Sequence, residues 1–121
     1  MRRVLILDLA DDPDLIAAYE DHHRPGAVPA AIVASIRKAG ITGMEIHRSG
    51  NRLVMVMETD ESFDPAAKAV ADAADPEVAA WEALMSRYQR PVPWAPPGVK
   101  WLEAERIFSL EAQGAADGGA R

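Results

Sequence analysis

The sequence predicts an α+β domain in which helices cover one face of an antiparallel sheet. Apolar stretches of strand length alternate along the chain with segments of helical periodicity, and a Ser49-Gly50-Asn51 turn joins two extended stretches into a hairpin. Asp12, Asp64 and Asp75 each precede a proline and a helical segment, as expected for a capping side chain followed by proline in the first helical turn. Together these patterns predict both kinds of element in one chain.

The first half of the chain predicts one strand and a crossover of two helices. Residues 4–9 are aliphatic and of strand length, and Pro13 opens a helix that ends at the Arg24-Pro25-Gly26 break. A second helix follows over residues 30–39, and Gly40 is a typical helix stop. The two helices form one interrupted crossover.

The second half of the chain predicts a hairpin, two further helices and a last strand. These elements are, in order, a hairpin of residues 44–48 and 52–58, helices over 65–74 and 76–89, and a strand over 102–110. Residues 91–98 are rich in proline, which removes backbone donors and fixes φ, so a stiff loop is expected there. The domain should span residues 1–111, followed by a flexible tail over residues 112–121.

The order of the predicted elements, β-α-β-β-α-β, is that of the ferredoxin-like sandwich. In that fold the helices cover only one face of the sheet. The first and third predicted strands are apolar on both faces, so the face without helices also needs cover. We expect a second copy of the chain to supply it, sheet against sheet, in a two-fold homodimer.

Composition limits the possible partners. The 121 residues, 49% of them hydrophobic, suffice for the core of one domain. A net charge of −6 argues against binding to nucleic acid or to an anionic membrane, since either would need a basic surface. There is no cysteine, which excludes disulfides and cysteine nucleophiles. No apolar run reaches the length of a signal peptide or a transmembrane helix, so the expected location is the cytoplasm.

Two of the three histidines and one of the two tyrosines lie within residues 19–23. Tyr19 and His23, four residues apart, point in the same direction on a helix, whereas His22 lies about 60° to the other side of Tyr19. A phenol and an imidazole on the apolar edge of a helix can hold a polar ligand and exchange protons with it near neutral pH. The same pair would also serve to close off a core, and the residues alone leave both interpretations open.

The remaining candidate residues are aromatic or acidic. No histidine spacing is typical of a metal site and no glycine-rich phosphate loop occurs, so neither a metal nor an organic cofactor is expected. Trp81 and Trp94 could receive the apolar face of a monosaccharide, while Asp8 and Glu45 could bind its hydroxyl groups. Trp81 also fits a core position, and the two acids also fit ordinary positions on a strand.

Several motifs occur in collinear order between residue 3 and residue 110. They are Tyr19-x-x-x-His23, the break at Pro25, residues 35–41, Met44-Glu45-Ile46, residues 50–60, and Trp81-Glu82-Ala83-Leu84-Met85 followed by Pro91-Val92-Pro93-Trp94. Together they resemble the L-rhamnose mutarotase family, and most closely its L-fucose-type members. The resemblance implies a dimeric ferredoxin-like α/β barrel that interconverts the α and β anomers of 6-deoxy-L-sugars without metal or cofactor.

Carried over residue by residue, the resemblance implies that His23 is the proton donor, Tyr19 a substrate-binding phenol and Trp81 the first of a tryptophan pair that contacts sugar. Glu82 stands in place of the second tryptophan, and Met44 in place of a tyrosine on the second strand. We therefore expect a sugar mutarotase, an isomerase acting on L-rhamnose or L-fucose. The alternatives are a non-enzymatic ligand-binding or stress-response dimer of the same fold and a cofactor-free oxygenase.

Overall fold

The chain forms an antiparallel sheet with helices packed on its inner face. The computed structural model describes residues 1–117. The elements are β1 (Arg2–Leu9), α1 (Pro13–His22), α2 (Ala30–Lys38), β2 (Ile41–Ser49), β3 (Arg52–Thr59), α3 (Pro65–Ala74), α4 (Pro76–Met85), β4 (Gln89–Arg90), β5 (Leu102–Glu103) and α5 (Leu110–Asp117). The predicted α+β class is confirmed, and the elements follow the predicted order as far as α4. Within residues 1–117, no helix combines the length and the apolar composition that a membrane span requires.

Strand β1 lies inside the sheet, whose strand order is β2-β3-β1-β4, with β5 also paired to β1. All of these pairings are antiparallel. One edge of β1 pairs with β3 along almost its whole length. The other edge is shared, because β4 lies opposite Asp8 and Leu9 while β5 lies opposite Leu5 and Ile6. The fourth strand of the sandwich is thus split in two by the proline-rich segment, residues 91–98.

The predicted last strand over residues 102–110 is wrong in extent, because only β5 at its beginning pairs with β1. One further backbone bond follows, from the Ala104 N–H to the Val4 carbonyl at 2.7 Å. Since β1 begins at Arg2, it offers few partner groups beyond this point. The chain therefore leaves the sheet after Ala104.

The predicted helix over residues 76–89 ends early, at Met85, which lets residues 89–90 extend as β4. Near the C-terminus, helix α5 forms where an irregular tail was expected. The flexibility of residues 112–121 stays a prediction, and residues 118–121 lie outside the part of the chain described.

The core lies between the inner face of the sheet and the helices. Leu7 and Leu9 of β1 point inward and are almost completely buried. Leu9 belongs to a buried cluster with Tyr19 of α1 and Met85 of α4, so the sheet and two helices meet at this point. Because successive strand residues face opposite sides, Asp8 belongs to the outer face.

The three Asp-Pro pairs act as helix starts, as predicted. Asp12, Asp64 and Asp75 are the N-cap residues of α1, α3 and α4, and each side chain accepts a hydrogen bond from a backbone N–H of the first turn. Proline follows each of them at the first helical position, where its missing N–H would have no partner in any case. Helices α1, α3 and α4 therefore begin at the prolines that the sequence indicates.

Gly40 joins α2 to β2 with a positive φ of 94°. A larger residue at this position should therefore lower the free energy of unfolding. A Cβ there would lie 2.5 Å from Asp60 Oδ1 and 2.6 Å from Ser62 Oγ, besides straining the backbone. Gly26 has a similar φ of 84°, but a Cβ would meet nothing within 4 Å. We expect Gly40→Ala to lower the free energy of unfolding by clearly more than Gly26→Ala, whose loss from backbone strain alone should be about 1–2 kcal/mol.

Urea unfolding of the two variants and the parent chain, at one protein concentration, measures both losses. Equal losses for the two variants would contradict the prediction, since they would show that the loop around Asp60 yields freely to the added methyl group.

Candidate active site

A cavity of about 600 Å³ lies between the inner face of the sheet and helices α1, α2 and α4. This volume falls in the range of about 300–1,000 Å³ that small-molecule sites occupy. The sheet side of the cavity is apolar, whereas the helix side carries aromatic and polar groups. The lining includes Leu5, Met44, Ile46, Met55 and Met57 from the sheet, and Tyr19, His23, Trp81, Glu82 and Gln89 from the helices and β4.

His23 is positioned by the end of helix α1, where it is the C-cap residue. The backbone N–H of His23 donates to the Glu20 carbonyl at 3.0 Å instead of to the Tyr19 carbonyl four residues back. The imidazole Nδ1 of His23 lies 2.7 Å from this carbonyl oxygen. Because a carbonyl can only accept a hydrogen bond, Nδ1 must carry a proton. In the neutral ring the lone pair is then on Nε2, which is the nitrogen left for a ligand.

Burial lowers the pKa of His23 below its ordinary value of 6.5, since the charged ring would lose hydration. The hydrogen bond to the Tyr19 carbonyl acts in the opposite direction and the neighbouring His22 in the same direction, but burial is the largest cause. The His23 ring is therefore neutral at pH 7. A neutral imidazole with its lone pair on Nε2 is a proton acceptor, and it becomes a proton donor once Nε2 has taken up a proton.

Tyr19 and Trp81 place two aromatic rings beside this imidazole. The ring centroid of Tyr19 lies 4.4 Å from that of His23, and the indole of Trp81 lies 5.5 Å away in an edge-on arrangement. Burial is the main cause that raises the pKa of Tyr19 above 10.0, so its phenol keeps its proton at neutral pH. The hydroxyl oxygen accepts a hydrogen bond from Gln89 Nε2 at 3.3 Å, which leaves the phenolic proton free for a ligand.

The structure separates Asp8, Glu45 and Trp94 from this group. Asp8 accepts two hydrogen bonds from the Arg52 guanidinium, at 2.7 and 3.1 Å, on the outer face of the sheet. The same guanidinium lies over the Trp94 ring, 5.1 Å from its centroid. Glu45 is exposed and pairs with His47 at 3.4 Å. Leu5 and Met44 line the cavity from the same two strands, so alternation directs Asp8 and Glu45 away from it.

Gln89 is a cavity residue that the sequence did not suggest. It was predicted to end a helix, whereas it lies in β4 with its backbone opposite Leu9. Pro91 was the feature of the sequence that could have indicated β4. The residue before a proline is biased toward extended conformations, which favours a short strand ending at Arg90. Without that strand, nothing in the sequence indicates that Gln89 faces Tyr19.

The geometry defines the class of site. An imidazole held neutral, a phenol held protonated and an indole meet in one cavity of small-molecule size, which is an arrangement for acid/base chemistry on a polar ligand. Within residues 1–117, no three side chains of histidine, aspartate or glutamate converge as a metal site would require.

Comparison with known proteins agrees with this class. The model of the family described as L-rhamnose mutarotase matches residues 2–110. An L-fucose mutarotase of Xanthomonas campestris pv. campestris is 56% identical over 109 residues, which cover 90% of this chain and 87% of the relative. The crystal structure of an L-rhamnose mutarotase from Formosa agariphila superposes with a TM-score of 0.65 at 16% identity, covering 91% of this chain and 98% of that one.

A type-II polyketide cyclase, tetracenomycin F2 cyclase from Streptomyces glaucescens, superposes with a TM-score of 0.56 at 18% identity, covering 90% of this chain and 95% of that one. At such identities the two solved structures support the fold alone. The family match and the 56% identical relative also show the family to which the chain belongs. The chain belongs to the L-rhamnose mutarotase family and is a sugar mutarotase, an isomerase of sugar anomers, as the sequence predicted.

The lowered pKa of His23 predicts the acid limb of the pH profile. On the expectation that the neutral ring accepts the substrate proton, anomer exchange should slow as the pH falls through the pKa of His23, with a midpoint below 6.5. Saturation-transfer NMR of a sugar gives the exchange rate at each pH, and the ring protons of His23 give its titration in the same samples. A midpoint above 6.5, or an exchange rate whose pH dependence does not follow the titration of His23, would contradict the prediction.

Proposed function

We propose that the protein interconverts the α and β anomers of a 6-deoxy-L-sugar, L-fucose or L-rhamnose, and that His23 is its acid/base residue. The observation that carries this proposal is the bond from His23 Nδ1 to the Tyr19 carbonyl, which fixes the ring so that Nε2 is the nitrogen available to substrate. The 56% identical L-fucose mutarotase supports the choice of sugar class. The cytoplasm remains the location that the sequence predicts.

The proposed reaction needs one group that can both take and give a proton. Nε2 of His23 takes the proton of the anomeric hydroxyl while the bond between the anomeric carbon and the ring oxygen breaks. The imidazolium then delivers this proton to the former ring oxygen, which leaves an open-chain hydroxy-aldehyde. Both oxygens were bonded to the same carbon, so a single imidazole can serve them in turn. After rotation of the carbonyl, the same transfers in reverse close the ring on its other face.

The cavity lining suits a 6-deoxy-sugar. Such a sugar carries a methyl group in place of a hydroxymethyl group, and Met44, Met55 and Met57 offer apolar surface for it. Trp81 can receive the C–H face of the ring, and the Tyr19 hydroxyl can donate to a sugar oxygen. The Tyr19 hydroxyl and the Gln89 carboxamide line the same cavity as His23. These polar groups favour a sugar over the entirely hydrophobic substrate that an oxygenase of this fold would take.

Replacement of His23 tests the proposed role directly. His23→Ala should reduce anomer exchange by about 10²–10⁴-fold, the usual contribution of a general acid/base residue. His22→Ala is the matched control, because His22 is the adjacent residue of the same helix end and its Nε2 instead bonds to Tyr88 Oη at 3.2 Å. Saturation-transfer NMR on L-fucose and L-rhamnose measures both variants. Equal losses in the two variants, or unchanged exchange in His23→Ala, would overturn the assignment.

We also propose that two copies associate through the outer face of the sheet. Ile6 and Val54 lie opposite each other in register on this face, and both remain partly exposed in the single chain. Trp94, whose ring stacks on the Arg52 guanidinium of this face, is 59% exposed. An apolar sheet face of this kind is typically covered by another layer, and a second copy can supply one through two-fold symmetry.

The dimer proposal predicts the effect of one charge on the outer face. Val54→Lys should shift the protein from dimer to monomer at micromolar concentration, because a lysine would be buried without a partner between the two sheets. Ala80→Lys adds the same charge at an exposed position on α4, so it should leave the dimer intact. Sedimentation velocity measures both variants. A monomeric parent chain, or a Val54→Lys variant that remains dimeric, would contradict the proposal.

A further inference from the structure

Gln89 is a buried polar residue whose side chain is only half satisfied. It is 8% exposed and lies in β4, with its backbone paired to β1. Its Nε2 donates to Tyr19 Oη at 3.3 Å, near the long end of the range for such bonds. Its Oε1 has no hydrogen-bond partner within the described residues and is closed to water.

Such an unsatisfied carboxamide oxygen needs a physical reason. Most buried polar atoms in folded proteins have a partner, because an unpaired one destabilises the fold. The single hydroxyl of Tyr19 can satisfy only one end of the carboxamide. A methionine at this position would fill similar space without leaving any polar atom unpaired. The fold alone therefore gives no reason for a glutamine here.

A ligand in the cavity can supply the missing partner. Gln89 borders the cavity next to Tyr19, and its terminal torsion is soft, so a small turn of the carboxamide exposes one end of it. A sugar hydroxyl is a donor, so it can supply the bond that Oε1 lacks. A purely apolar ligand could not do so.

We propose that Gln89 is a substrate-binding residue. On the basis of the proposed function, its carboxamide turns when a sugar enters, so that Oε1 accepts a bond from a sugar hydroxyl other than the anomeric one while Nε2 keeps its bond to Tyr19 Oη. Gln89 thereby selects ligands that carry this hydroxyl, and it keeps the Tyr19 proton directed to substrate.

Analogues of L-fucose that each lack one ring hydroxyl test this assignment. The parent chain should bind one of them about 5- to 100-fold more weakly than L-fucose, because its absence leaves the carboxamide unpaired. Gln89→Met should lose that discrimination and bind L-fucose and the analogue alike. Arg90→Met is the matched control, since Arg90 is the neighbouring exposed residue of β4, and it should discriminate as the parent does. Equal discrimination in Gln89→Met and the parent chain, for every analogue, would overturn the proposal.

A measurement on the parent chain decides the matter even if Gln89→Met does not fold. The chain has only two glutamines, Gln89 and Gln113, so their side-chain amide resonances are assigned with one Gln113→Asn variant. Saturating L-fucose should shift the amide signals of Gln89 and leave those of Gln113 in place. Unshifted Gln89 signals at saturation would overturn the proposal.

His23→Ala separates this proposal from the proposed function. It should keep the parent's discrimination among analogues in binding while it loses anomer exchange. If it keeps full exchange, the role of His23 is wrong, and the binding results still decide the role of Gln89.

Discussion

Strand β1 carries apolar side chains on both of its faces, and this constraint organises the molecule. Of its inward residues, Leu9 packs against helices α1 and α4, and Leu5 lines the cavity. Its outward residue Ile6 lies opposite Val54 on a second apolar surface that stays partly exposed in the single chain, which is why the proposed dimer follows from the same strand. Asp8, near the end of β1, is stabilised on that outer surface by the Arg52 guanidinium.

The sequence predicted one side of the cavity well and the other poorly. Helical spacing placed Tyr19 and His23 together and the family resemblance added Trp81, and the structure brings all three into one group. Asp8 and Glu45 lie outside the cavity. The alternation of side chains along a strand shows which residues share a face, but it does not show which face meets the helices. Both faces of β1 are apolar, so hydrophobicity cannot decide which of its faces meets the helices.

The edge of the sheet was harder to predict for a different reason. A two-residue strand such as β4 carries almost no periodic signal, and its existence depends on a partner far away in the chain. Gln89 could therefore be found only from the folded arrangement. The end of α1 shows the same limit, since the change of backbone bonding that frees the Tyr19 carbonyl for His23 Nδ1 is invisible in the residue types.

The split edge strand has a consequence for how the molecule is made. Asp8 near the beginning of the chain pairs with Arg90, and Leu5 pairs with Glu103. Contacts between residues so distant in sequence form slowly, because a long loop must close before they contribute. During synthesis, β1, the first hairpin and α1 leave the ribosome before β4 exists. A nascent chain therefore carries His23 and Tyr19 long before it carries Gln89, and the cavity closes only when most of the polypeptide has emerged.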